Sequence, residues 1–175
     1  MDATDTNYRI SLERGALRFA AAHFATFRDD CEPLHGHNYA VTVRLGGSLT
    51  VKESWILDFS EAKQIARSIC RELDHKFILQ TQSRAFSIEH THGTYRIGFR
   101  ERHYVMPESD VAPLPIDNST VERLAEWFAG RFAAELKALG TSNIGSVTVG
   151  VEEVPGQTGW FTMQILSRPE GADKG

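Results

Sequence analysis

The order of hydrophobic patterns along the chain predicts an α+β domain in which two helices cover one face of an antiparallel sheet. Three observations carry that expectation. Tyr39, Val41, Val43 and Leu45 alternate with polar or small residues early in the chain, and Val147, Val149 and Val151 do so near its end, as half-buried strands do. Between them, apolar residues recur at helical spacing in two blocks, Ala62-Ile65-Ala66-Ile69-Leu73 and Leu124-Ala125-Phe128-Phe132. A hairpin pattern separates the two helical blocks, so the order is strands, helix, hairpin, helix, strands.

Each element has a local reason. Leu17 to Phe24 is strand-like in its apolar content, and the run from His37 to Leu45 is a strand that can begin at His35. Ser60 to Leu73 reads as an amphipathic helix with Ser60 as its N-cap. Tyr95–Phe99 and His103–Met106, joined by Arg100-Glu101-Arg102, read as a hairpin, whereas His90 and His92 sit in a polar stretch that reads as a turn. Ser119-Thr120-Val121-Glu122 fits a capping box opening a helix from about Thr120 to Leu139, and Gly140 supplies its stop. Val147 to Glu153 and Gly159 to Leu166 should pair across a Pro155-Gly156 turn. The expected organisation is one domain over residues 1–167 with a hairpin inserted at about 94–107, followed by a loose tail at 168–175.

Composition narrows the function classes. The 175 residues are 41% hydrophobic, enough for one real core, and carry a formal net charge of −4. No basic stripe interleaved with aromatics is present, so nucleic acid is not an expected partner. No apolar stretch nears the roughly 20 residues of a membrane span, nor is there a basic-then-apolar leader, and a soluble cytoplasmic protein is expected. Cys31 lies among histidines and Cys70 within a helical pattern, which favours free thiols in a reducing compartment.

Chemistry concentrates in the segment from His23 to His37. Residues two apart on a strand share a face, so His35 and His37 can grip one ion, with His23 closing the site from the preceding strand. Three neutral imidazoles around Zn²⁺ leave one tetrahedral position open, as in a catalytic centre. Cys31 could be a fourth ligand, an inert residue, or a thiol whose pKa is depressed by nearby positive charge. Asp74-His75 could be a proton-transfer pair or a charge at a helix C-terminus, and adjacent side chains seldom bond to each other. Glu153 shares a strand face with Val147, Val149 and Val151, and a carboxylate on an apolar face needs a partner: an arginine, or a ligand edge with two N–H donors.

Six ordered blocks carry a resemblance: Phe19-Ala20-Ala21-Ala22-His23, Cys31-Glu32-Pro33-Leu34-His35-Gly36-His37-Asn38-Tyr39, Ile56-Leu57-Asp58-Phe59, Leu73-Asp74-His75-Lys76-Phe77, Asn118-Ser119-Thr120-Val121-Glu122, and Glu153. Together they resemble the 6-pyruvoyl-tetrahydropterin synthase / 6-carboxy-tetrahydropterin synthase family, over about Phe19 to Trp160. The resemblance implies the tunnelling fold, with protomer sheets joined into a hexamer-like barrel and active sites between subunits. It implies zinc on His23, His35 and His37, with Cys31 as catalytic base rather than ligand and Asp74-His75 completing proton transfer. Glu153 would anchor the pterin ring, with Glu152 its rival, and Thr120 would lie near that ring. The Cys31-x3-His35-Gly-His37 spacing resembles the 6-carboxy branch of the 7-deazaguanine (queuosine) route, which acts on 7,8-dihydroneopterin triphosphate. The pyruvoyl branch and a non-catalytic zinc-stabilised pterin-binding protein are the alternatives. The long segment Gln80 to Asp117 departs from the family pattern, as does Ser119 in place of a proline. Arg96, Arg100 and Arg102 in that segment are either solvated hairpin residues or contacts for the triphosphate.

Overall fold

The computed structural model describes residues 8–165 apart from Arg14 and Ala16. Strand β5 (His35–Gly47) organises it. Its inward residues Tyr39, Val41, Val43 and Leu45 are all buried, and removing each from water contributes roughly 1.5–3 kcal/mol. Numbering the strands in chain order, β1 (Tyr8–Leu12) and β2 (Arg18–His23) pair antiparallel with the second and first parts of β5, and β11 (Ile144–Val154) runs antiparallel along its other edge. β12 (Gln157–Gln164) folds back on β11 across the expected Pro155-Gly156 turn, although its expected last residue, Leu166, lies outside the described residues. So does the expected tail.

The sheet is mixed rather than purely antiparallel. β6 (Lys76–Gln80) lies parallel to β2, and β10 (Val111–Leu114) lies parallel to β6, giving seven strands in the order β10-β6-β2-β5-β11-β12 with β1 beside β5. Neither β6 nor β10 alternates in sequence. Phe77 to Gln80 are buried on both faces, which erases a period of two. β10 carries Pro113, which an edge strand tolerates.

Helix α1 (Phe59–Leu73) buries Ala62, Ile65, Ala66, Ile69, Cys70 and Leu73. Its N-cap is Asp58, not Ser60: the Asp58 carboxylate accepts from the amides of Ser60 and Glu61. Helix α2 (Val121–Ala138) buries Leu124, Ala125, Phe128, Ala129, Phe132 and Leu136 and ends before Gly140, whose φ of 73° meets the expected stop. No capping box forms at its start. Thr120 caps it without a side-chain bond, and Ser119 is turned inward. Both helices contribute to one core with the β2, β5 and β11 side chains.

The inserted hairpin is a three-stranded antiparallel sheet of β7 (Ser87–Thr91), β8 (Thr94–Phe99) and β9 (Arg102–Pro107). His90 therefore lies in a strand rather than a turn, stacked on Tyr95 at 4.2 Å between ring centroids and 2.9 Å from the Glu108 carboxylate. His92 does sit in the turn, with φ 48°. β7 is exposed on nearly every residue, so no alternation marks it. The inserted sheet builds a second core from Phe86, Ile97 and Phe99 against Phe24, Cys31, Phe77, Leu79 and Val111. Among the described residues no helix is long and apolar enough to cross a membrane.

Candidate metal centre

The β2–β5 register pairs His23 with His35 and Ala21 with His37, which brings the three expected histidines together at one end of the sheet. Their ring centroids are 4.6 Å apart for His23 and His35, 4.8 Å for His35 and His37, and 5.3 Å for His23 and His37. Glu153 joins them from the end of β11. Ligand atoms of these four residues lie within 4.8 Å of one another.

Hydrogen bonds on the far side of two rings fix what the near side presents. His23 Nδ1 lies 3.1 Å from the carbonyl oxygen of Ser119, and His35 Nδ1 lies 2.8 Å from that of Pro33. A carbonyl can only accept, so both Nδ1 atoms carry a proton, and in the neutral imidazole that leaves the lone pair on Nε2. Burial holds the His23 imidazolium form back, against the opposing pull of Glu153, so its pKa falls below the ordinary histidine value. The Nε2 atoms of His23 and His37 are 3.0 and 3.1 Å from Glu153 Oε1, yet both are buried without a hydrogen bond of acceptable geometry. Buried nitrogens normally find a partner, and converging imidazoles that lack one fit a cation between them.

Glu153 projects from the expected face, but its partners are His23, His37 and Tyr39 rather than an arginine. The Tyr39 hydroxyl donates to Glu153 Oε1 at 3.4 Å, and burial followed by the nearby carboxylate raises the phenol pKa. Glu152 points away and accepts from the Gly156 amide at 2.9 Å, while a register shift between Glu152 and Val154 marks a bulge beside the site.

Cys31 stands apart from the four-residue group. It sits in the short hairpin of β3 (Thr26–Phe27) and β4 (Asp30–Cys31), buried in the second core, with Sγ 3.4 Å from the Glu32 carbonyl. Burial raises its thiol pKa; Arg102 acts in the opposite direction, and Asp30 and Glu32 add to the rise. Among the protein's own groups, desolvation outweighs the one nearby cation. Glu32, which spacing arguments passed over, puts its carboxylate 3.9 Å from His35 Nε2. Its position three residues before His35 was the available signal.

Asp74 and His75 do make the contact that adjacency disfavours. His75 Nδ1 is 3.0 Å from Asp74 Oδ2. A left-handed backbone at His75, φ 57°, permits it, held by the His75 amide on the Ala20 carbonyl at 2.6 Å and the Ala20 amide on Asp74 Oδ1 at 2.8 Å. The Ala20 amide is also the main reason the Asp74 carboxyl titrates below its ordinary range. His75 is 83% exposed on its side chain and lines an open cleft of about 670 Å³ with Ala20, Ala22, Asn38 and Lys76. His37 of the histidine cluster lines the same cleft, although no hydrogen bond or ion pair between described residues joins the two rings. Thr120 lies one residue beyond the Ser119 that holds His23, and Asn118 bonds the Thr26 backbone in both directions at 2.9 Å, tying α2 to the Cys31 hairpin.

Two helices on one face of a curled mixed sheet, with three imidazoles gathered where β2 and β5 meet, define a tunnelling-fold protein with a candidate metal centre. The sequence profile described as 6-pyruvoyl tetrahydropterin synthase matches residues 14–164, and the chain belongs to that family. A Methanocaldococcus jannaschii protein named as a 6-carboxy-5,6,7,8-tetrahydropterin synthase is 38% identical over 141 residues, covering 81% of this chain and 86% of its own. A Pyrococcus horikoshii protein of the same name is 28% identical, covering 88% and 90%. The crystal structure of Plasmodium vivax 6-pyruvoyl tetrahydropterin synthase superposes with a TM-score of 0.83 at 30% identity, covering 90% of this chain and 98% of that one. Two further structures of that enzyme replace a glutamate described as its catalytic residue.

Proposed function

We propose that the protein is a zinc-dependent 6-carboxy-5,6,7,8-tetrahydropterin synthase acting on 7,8-dihydroneopterin triphosphate in the 7-deazaguanine (queuosine) route. The observation that carries the reading is the convergence of His23, His35 and His37, two of them with Nδ1 tied to a carbonyl and Nε2 free to bind. The choice of branch rests on the Cys31-x3-His35 spacing and is supported by the names of the relatives.

A zinc ion held by these three imidazoles supplies Lewis acidity toward the side-chain hydroxyls of the substrate. Glu153 faces the same space and receives the two N–H donors of the pterin edge, a charge-assisted contact. Thr120 flanks the ring. Cys31 accepts the proton leaving carbon. Asp74, kept ionised by the Ala20 amide, orients His75 as the second proton carrier. In the family pattern active sites form between the subunits of a hexamer-like homo-oligomer, and the open cleft that His75 and His37 both line is where a neighbouring copy would complete the site. Triphosphate is eliminated and the side chain is cleaved with loss of acetaldehyde. Two free cysteines fit a cytoplasmic setting.

One second reading has its own support. The close superposition on a 6-pyruvoyl tetrahydropterin synthase favours the branch that stops at the pyruvoyl product, and the glutamate reported as catalytic there makes Glu32 a rival to Cys31 as base. Incubating zinc-loaded protein with 7,8-dihydroneopterin triphosphate and identifying products by mass spectrometry decides. Acetaldehyde with 6-carboxy-tetrahydropterin supports the first reading, and a pyruvoyl product without acetaldehyde supports the second. Absence of turnover by the zinc-loaded protein defeats both.

A further inference from the structure

We infer that Arg102, delivered by the inserted three-stranded sheet, is a positioning residue that holds the Cys31–Glu32 segment in its working place beside the histidine cluster. The inference rests on the reading that a base at this segment serves the reaction.

The segment has little structure of its own. β3 and β4 are two residues each, joined by Arg28 in a left-handed conformation of φ 54°. What fixes it comes from elsewhere. Arg102 Nη2 donates to the Cys31 carbonyl at 2.6 Å and to Asp30 Oδ1 at 3.3 Å, while Nη1 donates to the Glu32 carbonyl at 3.0 Å. Arg100, two residues earlier, donates to the Asp29 carbonyl and lies 3.8 Å from Asp30 Oδ1. Both guanidinium groups sit over the Phe99 ring, at 5.1 and 5.0 Å from its centroid, and Phe99 packs in the same core as the Cys31 side chain. Three of the Arg102 and Arg100 bonds end on the backbone carbonyls of Asp29, Cys31 and Glu32, so the two side chains set the path of the main chain rather than recognising one side chain. A planar guanidinium reaches three oxygens at once, which an ammonium cannot.

This assigns the inserted sheet a task. It also gives Arg100 and Arg102 partners within the protein, in the Asp29–Glu32 segment, where the sequence suggested solvent or a triphosphate.

The test compares Arg102→Ala and Arg102→Lys with the parent protein, using 7,8-dihydroneopterin triphosphate for turnover and iodoacetamide for thiol access. A misplacement near 1 Å can cost on the order of 100-fold. Arg102→Ala should therefore lower kcat by at least about tenfold with KM changed less than about twofold, at unchanged zinc content. Arg102→Lys should stay near the alanine variant, because it restores charge without the fork. Alkylation of Cys31 should accelerate in both variants while Cys70, on the buried face of α1, stays protected. Unchanged kcat, a KM increase at constant kcat, or labelling of Cys31 and Cys70 rising together would each overturn the assignment. The labelling result does not require turnover. Full activity of Cys31→Ala and of Glu32→Ala would sink the underlying reading, and the labelling comparison would still judge the clamp.

Discussion

The Nδ1 atom of His23 lies 3.1 Å from the carbonyl oxygen of Ser119 and 3.2 Å from its hydroxyl oxygen, which in turn donates to the carbonyl of Phe24 at 3.0 Å. The loop before α2 thereby sets the tautomer of a histidine nearly a hundred residues away. Removing an only outer partner of a metal-binding histidine costs about 10- to 100-fold in metal affinity. Ser119→Ala leaves the carbonyl in place, so zinc affinity should fall by less than about tenfold, while the orphaned Phe24 carbonyl should cost roughly 1–3 kcal/mol of stability. Zinc titration and denaturant unfolding measure the two. A much larger loss of zinc would mean that the hydroxyl, not the carbonyl, orients the ring.

Cys31 lies outside the four-residue grouping, so on the proposed reading it acts as base and not as ligand. His35→Ala and His37→Ala should lose most of their zinc, and Cys31→Ala should keep it while losing turnover. Metal analysis after gel filtration reads this directly. Near-stoichiometric zinc in both histidine variants would dismiss the centre.

Glu153 and Glu152 are adjacent but point to opposite sides, one at the histidines and the other at the Gly156 amide. Glu153→Gln should weaken pterin binding by roughly 1.5–3 kcal/mol, the worth of a charge-assisted bond, and Glu152→Gln should do so far less. Calorimetric titration with a pterin, on protein of measured zinc content, distinguishes a ring contact from a fourth ligand. Zinc lost together with pterin affinity would assign Glu153 to the metal.

Asp58 gives a pH dependence with a definite sign. The amide of Glu61, then that of Ser60, holds its carboxyl below the ordinary value. The cap's contribution is therefore fully present above the unfolded aspartate pKa of about 3.9 and is lost as pH falls through the lower folded value. Asp58→Ala should melt below the parent at neutral pH, and the gap should close in acid below that value. A constant gap across the range would show that the carboxylate charge plays no part.

The histidine centre was legible because its signal is periodic: His35 and His37 lie two apart on a strand whose alternation continues through Leu45. The Asn118–Glu122 block announced a helix start, yet Ser119 spends its hydroxyl on Phe24 rather than on the helix, a tertiary demand that local propensity does not register. β6 and β7 were illegible for opposite reasons, one buried on both faces and one exposed on both. The tie between Arg102 and Cys31 spans 71 residues, and no pattern at the scale of a turn or a strand encodes it.

Strand β5 has neighbours along both edges, whereas β12 and β10 close the sheet at its rims. Amide protons of Tyr39, Val41 and Val43 should consequently exchange with deuterium only when the whole domain opens, while those of the outlying β7 exchange through local fraying. The histidine pair would then stand at the start of a slowly exchanging segment. Its geometry should survive partial denaturation that has already loosened the inserted sheet, so activity and metal retention would be lost in two separate steps, not one.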